Sequence, residues 1–159
     1  MDDLRVGTAF DAHRLVLGRP LVLGGVRIES DLGLDGHSDA DIVCHALIDA
    51  MFGAASLDDI GTHFPPEDPR WQDASSLELL RLGSQIVREQ GWALVNCDAF
   101  LVLQRPKIAD HRPQMRANVA DAIGCALDRV SIRATTTDGL GFVGRREGAS
   151  CHAVALLRR

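Results

Sequence analysis

The sequence predicts an α+β fold, a mixed β-sheet with helices packed on one face. Three observations carry this. Segments of period two and segments of helical period follow one another in the order β-β-α-α-β-α-β-β. Nothing repeats at a period of roughly 20–50 residues, and no low-complexity linker divides the 159 residues, so a single domain over 1–159 is expected. Hydrophobic residues make up 46% of the chain, enough for a substantial core. Helices on one face leave the other face of the sheet bare, and oligomerisation is a natural cover for it.

The elements follow from local pattern. "LRVGTAFDAH" alternates through Val6, Thr8 and Phe10 and reads as a strand. "PLVLGGVRIES" reads as a second strand, with Gly24-Gly25 a turn or bulge. A helix is expected from about Asp39 to Gly53, with Ser38 and Asp41 as a capping pair and Ala46, Leu47, Ala50 and Met51 as its apolar stripe. "SLDDIGTHFPPEDPRW" is a long loop with three prolines, and loops of that length are usually functional. "SSLELLRLGSQIVREQG" is a helix capped by Ser75 and Glu78, with Leu79, Leu82 and Ile86 inward and Gly91 as its stop. "WALVNCDAFLVLQ" is a long strand, "RPKIADHRP" a loop and "QMRANVADAIG" a helix closed by Gly124. "RVSIRATTT" is a strand, "DGLGFVGRREG" a Gly-rich turn and "ASCHAVALLR" the last strand.

Composition removes several classes of function. No apolar run reaches the roughly 20 residues of a membrane span, and the acidic N-terminus passes directly into a strand pattern, so no leader is expected and the cytoplasm is the expected location. The net charge is −5, with basic clusters only at "GRREG" and "LRR", which argues against a nucleic-acid partner. An anionic small molecule stays compatible, because a site needs local donors and not a basic protein. Cys44, Cys97, Cys125 and Cys151 form no C-x-x-C pair and read as reduced, mostly buried thiols.

Two stretches carry chemistry. Asp11 and His13 in "FDAH" are two apart on a strand, so both side chains point to one face. With His45 they supply three ligands of the kinds that zinc takes, leaving one position open. Asp41 and Asp49 sit one turn either side of His45, where either could orient its free ring nitrogen. Asp39 reads as helix-start charge. His37 and Ser38 lie where the helix begins, a place suited to phosphate. In "ATTTDGLGFVGRREG", Thr135, Thr136 and Thr137 offer hydroxyls, Asp138 a carboxylate for Mg²⁺, and Arg145 and Arg146 charges that match a diphosphate. His63 reads as a loop residue near the site, His111 as a helix-start residue and His152 as structural.

Taken together, "FDAHRL", "GHSDADIVCHALIDAMFGAASLDDIGTHFP", "RPKI" and "TTTDGLGFVGRREG", in this order, resemble the 2-C-methyl-D-erythritol 2,4-cyclodiphosphate synthase family from about Arg5 to the C-terminus. The resemblance implies a phosphorus–oxygen lyase of the non-mevalonate isoprenoid pathway. Such an enzyme converts 4-diphosphocytidyl-2-C-methyl-D-erythritol 2-phosphate to the cyclic diphosphate and CMP. It further implies a homotrimer with active sites between subunits. By the same resemblance, zinc or another divalent ion (Mn²⁺ or Co²⁺ suit the ligand set) falls on Asp11, His13 and His45, and Mg²⁺ or Mn²⁺ on Asp138. Transition-state stabilisation falls on His37 and Thr136. Methylerythritol contacts match Asp59, Ile60 and Gly61, with Phe64 in the following loop, and Ser38 joins the substrate contacts. The cytidine pocket is similar to the stretch that holds Leu103, Pro106, Lys107, Ile108 and Ala109, with Thr135, Thr136, Thr137 and Asp138 from the neighbouring subunit. Phe142 and Arg145 match residues that bind an isoprenoid diphosphate near the three-fold axis in some members.

The chain departs from the family at three places. Asp138 stands where the metal-binding acid is often Glu, Gly139 where some members have Lys, and Pro66 where some have an acid. The expected reaction needs no protein nucleophile, because the 2-phosphate attacks the β-phosphorus of its own CDP group. A zinc phosphohydrolase and a non-catalytic isoprenoid-diphosphate binder are the rival readings. The first would release inorganic phosphate, and the second would need a damaged metal triad.

Overall fold

The structure, a computed structural model, describes residues 3–159; Met1 and Asp2, the start of the N-terminal segment read above, lie outside them. Seven strands and five helices follow in chain order. They are β1 (Leu4–Leu17), β2 (Leu21–Leu23), β3 (Val26–Ile28), β4 (Leu32–Leu34), α1 (Ile42–Ala55), α2 (Ile60–His63), α3 (Ser76–Glu89), β5 (Ala93–Val102), α4 (Arg112–Ile123), β6 (Val130–Thr135), α5 (Gly141–Gly144) and β7 (Gly148–Arg158). The main sheet runs β4-β1-β7-β5-β6, and β2-β3 form a separate hairpin. All pairings in the main sheet are antiparallel except β5 with β6, so the sheet is mixed as expected.

Alternation decides which face of the sheet is covered. On β7, Cys151, Ala153, Ala155 and Leu157 are buried while His152, Val154 and Arg158 are exposed. The small buried residues of β1 and β7 let α1 lie close. A Cβ on Gly7 would sit 2.0 Å from the Ala50 carbonyl oxygen and 2.4 Å from the Ala54 nitrogen, both backbone atoms of α1. That contact brings His45 of α1 over Asp11 and His13 of β1. Gly7→Ala is therefore expected to push α1 off the sheet and to cost about 3 kcal/mol of stability by overpacking. Denaturant unfolding of the variant measures this.

α1 is apolar nearly all round because it is enclosed on both sides, between the sheet and α3, and buries Ile42, Val43, Leu47, Ile48, Met51 and Phe52 among others. The opposite face of the sheet is bare. Leu4, Val6, Phe10 and Val154 are 58%, 65%, 56% and 43% exposed, and His152 lies against Phe10 with ring centroids 4.8 Å apart. His152 thus stands on the open face, where the sequence reading made it structural.

Several local expectations are corrected. The strand over "PLVLGGVRIES" is a tight hairpin, because Gly24 and Gly25 both take positive φ, 55° and 70°. α1 begins at Ile42 and not near Asp39, and its N-cap is Asp41 and not Ser38. α3 begins at Ser76 with no side-chain cap from Ser75. Its buried stripe is Ser76, Leu79, Leu80, Gly83, Ser84 and Val87, so Leu82 turns outward at 38% exposure and Ile86 is only half-buried. The one-turn helices α2 and α5 fall where a loop and a Gly-rich turn were read, and β4 falls in a stretch to which no element was assigned.

Candidate metal centre and adjoining pockets

Asp11 and His13 project from one face of β1, and His45 reaches them from the first turn of α1. Asp11 Oδ2 lies 3.2 Å from His13 Nε2 and 3.1 Å from His45 Nδ1. One ligand atom from each lies within 4.8 Å of the others, and among the described residues these three form a cluster able to hold a metal ion. Burial pushes the Asp11 carboxyl up, but hydrogen bonds and charge from His13 and His45 outweigh it and hold Asp11 well below the usual carboxylate range. The Asp11 hydrogen bond raises the His13 pKa above 6.5 against the opposing effect of burial.

The outer ring nitrogens are already engaged. His13 Nδ1 lies 2.5 Å from the Asp35 carbonyl oxygen, so it carries a proton and donates it. His45 Nε2 lies 3.1 Å from Ser38 Oγ and 3.0 Å from Ser76 Oγ. The inner nitrogens, His13 Nε2 and His45 Nδ1, face the Asp11 carboxylate, and each would present a lone pair to an ion held there. Three electron-pair donors converging on one point need a proton or a cation between them. The donor set thus fits a divalent ion.

Neither Asp41 nor Asp49 orients His45. Asp41 is fully buried as the α1 N-cap and also receives the Gly24 and Gly25 N–H groups of the hairpin, at 2.9 and 2.7 Å. The Val43 and Cys44 N–H groups of α1 donate to the same carboxylate. Two of the N–H groups at the α1 N-terminus, where the sequence suggests a phosphate, are thus taken by Asp41. Asp49 Oδ1 accepts from the Ile60 N–H at 2.7 Å and so fixes the Asp59–Gly61 segment; burial raises its pKa. Asp59 caps α2 through the Thr62 N–H at 2.8 Å, and hydrogen bonds from Thr62 lower its pKa. Asp39 is no bystander: its carboxylate accepts from the backbone N–H groups of Asp41 and Ser76 and from the Ser76 hydroxyl.

Beside the triad is a cavity of about 230 Å³, lined by His13, His37, Ser38 and His45 and by Ile60, Gly61, Phe64, Pro66, Trp71 and Leu79. His37, Ser38, Ile60, Gly61 and Phe64 are thus brought to the triad as read, and Pro66 gives the wall an apolar residue. Trp71, packed edge-on against Phe64 at 5.1 Å, and Leu79 were not foreseen. Arg19 braces this rim by donating to the Ser38 and Leu34 carbonyls at 2.8 and 3.2 Å. His63 packs on Phe52 behind the rim, with its Nε2 2.5 Å from the Leu57 carbonyl oxygen, and His111 sits at the start of α4.

A second cavity, about 220 Å³, is lined by Leu103, Pro106, Lys107, Ile108 and Ala109 together with Gln104, Arg112, Ala134, Thr135 and Thr136. Thr135 and Thr136 thus line this cavity from the same chain as Leu103–Ala109, where the expectation placed them on a neighbouring subunit; Thr137 and Asp138 are not among its lining residues. The parallel register Val102↔Thr135 and the 3.0 Å hydrogen bond from Leu103 N–H to the Thr135 carbonyl explain this. Thr137 Oγ1 donates to the Leu140 carbonyl at 2.5 Å, and Asp138 stands exposed at φ 55°. The two cavities share no lining residue. Phe142 is 42% exposed, and Arg145 is paired with Glu147 at 2.9 Å. Arg146 pairs with Asp31 at 2.6 Å and is committed to the fold.

Known proteins resemble this chain along almost its whole length. The YgbB family matches residues 4–158. The 2-C-methyl-D-erythritol 2,4-cyclodiphosphate synthase of Symbiobacterium thermophilum is 55% identical over 152 residues, 96% of this chain and 97% of that one. A CDP-bound structure of a synthase of the same name is 37% identical, with a TM-score of 0.88 over 96% of this chain and 99% of that one. The bifunctional IspDF of Campylobacter jejuni is 39% identical, with a TM-score of 0.95; the match covers 99% of this chain but 43% of that longer one.

Proposed function

The chain belongs to the YgbB family, and on that premise we propose that it converts 4-diphosphocytidyl-2-C-methyl-D-erythritol 2-phosphate to 2-C-methyl-D-erythritol 2,4-cyclodiphosphate and CMP. It does so as a phosphorus–oxygen lyase of the non-mevalonate pathway. The observation that carries the reading is the Asp11–His13–His45 triad, with its three ligand atoms convergent beside the cavity that holds His37 and Ser38.

An oxygen of the 2-phosphate forms a bond to the β-phosphorus, and the bond from that phosphorus to the oxygen bridging to the α-phosphate breaks. The electron pair leaves with CMP, and no protein nucleophile takes part. The chain's task is to hold the two ends together and steady the charge, and orientation alone can remove about 7–11 kcal/mol of such a barrier. The Asp59–Gly61 segment, fixed by Asp49, and Phe64 hold the methylerythritol unit. Leu103, Pro106, Lys107, Ile108 and Ala109, with Thr135 beside them and Thr137 from the following turn, hold the cytidine. His37 and Thr136 donate to oxygens that gain charge, and Ser38 offers its hydroxyl to a phosphate. Asp11, His13 and His45 would hold zinc or a like divalent ion, and Asp138 would hold Mg²⁺ or Mn²⁺ together with substrate phosphates. When bound, these ions supply Lewis acidity and offset phosphate charge.

Two features support a homotrimer with its active sites between subunits. The bare apolar face at Leu4, Val6, Phe10 and Val154 wants a cover. The triad cavity and the nucleoside cavity are separate on one chain, so a neighbour's nucleoside cavity can complete each triad. Phe142 and Arg145 would then meet their symmetry mates, and an isoprenoid diphosphate there would compete with Glu147 for Arg145. The four free cysteines suit the reducing cytoplasm. No described helix is long and apolar enough to cross a membrane.

Product analysis by ³¹P NMR, with Zn²⁺ and Mg²⁺ supplied, tests the reading. CMP and a coupled pair of cyclic diphosphate signals are expected, and inorganic phosphate or unchanged substrate would overturn it. Metal affinity should also depend on pH, with a definite sign. The competing proton sits on His13, whose pKa is raised, so binding is full above that raised value and weakens as pH falls through it. Below it the loss should be about tenfold per pH unit, as one proton is displaced per ion. Chelator competition between about pH 8 and about pH 6 measures the slope.

A further inference from the structure

We propose that Ser76 and Asp39 form a positioning pair for His45, acting from behind the metal centre; this rests on the metal-binding reading above. Ser76 is the first residue of α3, fully buried, and is not among the residues lining the cavity. Its hydroxyl lies 3.0 Å from His45 Nε2 and donates to Asp39 Oδ1. A hydroxyl has one proton. With that proton given to the Asp39 carboxylate, Ser76 Oγ can only accept from its other neighbours, and His45 Nε2 must be the donor. The chain of hydrogen bonds therefore runs His45 Nε2–H to Ser76 Oγ and Ser76 O–H to Asp39. It protonates the outer nitrogen, leaves Nδ1 bare toward Asp11 and fixes the ring plane.

The pair is itself held in place. Asp39 Oδ2 accepts from the Ser76 backbone N–H at 3.1 Å, which makes Asp39 the cap that α3 lacks from Ser75. The Asp39 N–H donates to the Ala74 carbonyl at 3.2 Å, and the Asp73 N–H to the His37 carbonyl at 2.8 Å. The start of α3 and the segment before α1 are thus stitched together on both sides of the relay. Ser38 Oγ also lies 3.1 Å from His45 Nε2, but it faces the cavity and accepts the Ala40 N–H at the same distance. Ser38 Oγ lies 3.3 Å from Ser76 Oγ, so with Ser76 as the principal acceptor for His45 the Ser38 hydroxyl proton can go to Ser76 or turn to a phosphate.

The test compares zinc affinity, by competition with a chromophoric chelator, among the full-length protein and its Ser76→Ala, Ser38→Ala and Asp39→Asn variants. Ser76→Ala should bind about 10–100-fold more weakly, as loss of a partner behind a metal ligand does. Ser38→Ala should stay within about twofold of the unaltered protein, well short of that loss. Asp39→Asn keeps an oxygen for Ser76 but loses its charge, so it should fall between the two; it decides the matter if Ser76→Ala does not fold. In the zinc-loaded protein the His45 Nε2 proton should give a slowly exchanging downfield NMR signal that Ser76→Ala loses. Undiminished affinity and an unchanged His45 signal in Ser76→Ala, or in Asp39→Asn where only that folds, would overturn the proposal. So would a loss confined to Ser38→Ala. No zinc binding by the unaltered protein would instead overturn the metal-centre reading, and this inference with it.

Discussion

His45→Ala is expected to lose bound metal and at least about 1000-fold in kcat, while the fold survives. A metal's charge stabilisation is worth several kcal/mol, and about 4 kcal/mol is a factor of about 1000 in rate. The remaining pair, Asp11 and His13, keeps its 3.2 Å contact but has only two donors, too few for a stable site with a position left open. His45 is half-buried at the edge of α1 and not part of its sealed core. Its removal should therefore shift the unfolding transition little. Metal analysis, turnover and a denaturant melt on one preparation check all three parts. Stoichiometric metal with normal turnover would remove His45 from the ligand set.

The largest effect on stability is expected at Asp41. Its carboxylate ends five hydrogen bonds, from the Gly24 and Gly25 N–H groups, the Val43 and Cys44 N–H groups and the Cys44 thiol. Asp41→Ala removes a helix cap, worth about 1 kcal/mol. It also strands the hairpin's N–H groups in a buried setting at about 1–3 kcal/mol each. A loss of roughly 3–7 kcal/mol follows, or about 10–20 °C in Tm for a chain of this size. Thermal and denaturant unfolding measure it. A shift under about 1 kcal/mol would mean that water reaches the hairpin turn and replaces the carboxylate.

These two residues mark what was legible in the sequence and what was not. The strand bearing Asp11 and His13 was readable because a period of two is local, and it puts both side chains on one face whatever the rest of the chain does. Helix α1 was readable from its apolar run, and His45 from its chemistry. What failed were local accounts of polar partners. Ser38–Asp41 and Ser75–Glu78 look like capping pairs within four residues. The helices are in fact capped by Asp41, which also grips a hairpin 16 and 17 residues away, and by Asp39, 37 residues from Ser76. No window on the sequence pairs Asp39 with Ser76, because the contact exists only once α3 has packed on α1. The inward stripe of α3 was misjudged for the same reason. Its buried face holds Ser76, Gly83 and Ser84, which a reading by hydrophobicity passes over, and gives up Leu82 to solvent. The short strand β4 carries too few residues to show a period, and yet it brings the Asp35 carbonyl to His13. In the second cavity the threonine run was visible as chemistry. Its meeting with Leu103–Ala109 on one chain depended on the parallel pairing of β5 with β6, which only the fold supplies.

The central claim is that the substrate attacks itself within a site that positions it and supplies no nucleophile. Turnover in water enriched in oxygen-18, read by mass spectrometry of both products, tests this most directly. Cyclisation exchanges one phosphorus–oxygen bond for another within the substrate, so CMP and the cyclic diphosphate should both carry no heavy oxygen. One heavy oxygen in CMP, or in a linear phosphate product, would show that water is the nucleophile and would contradict the account.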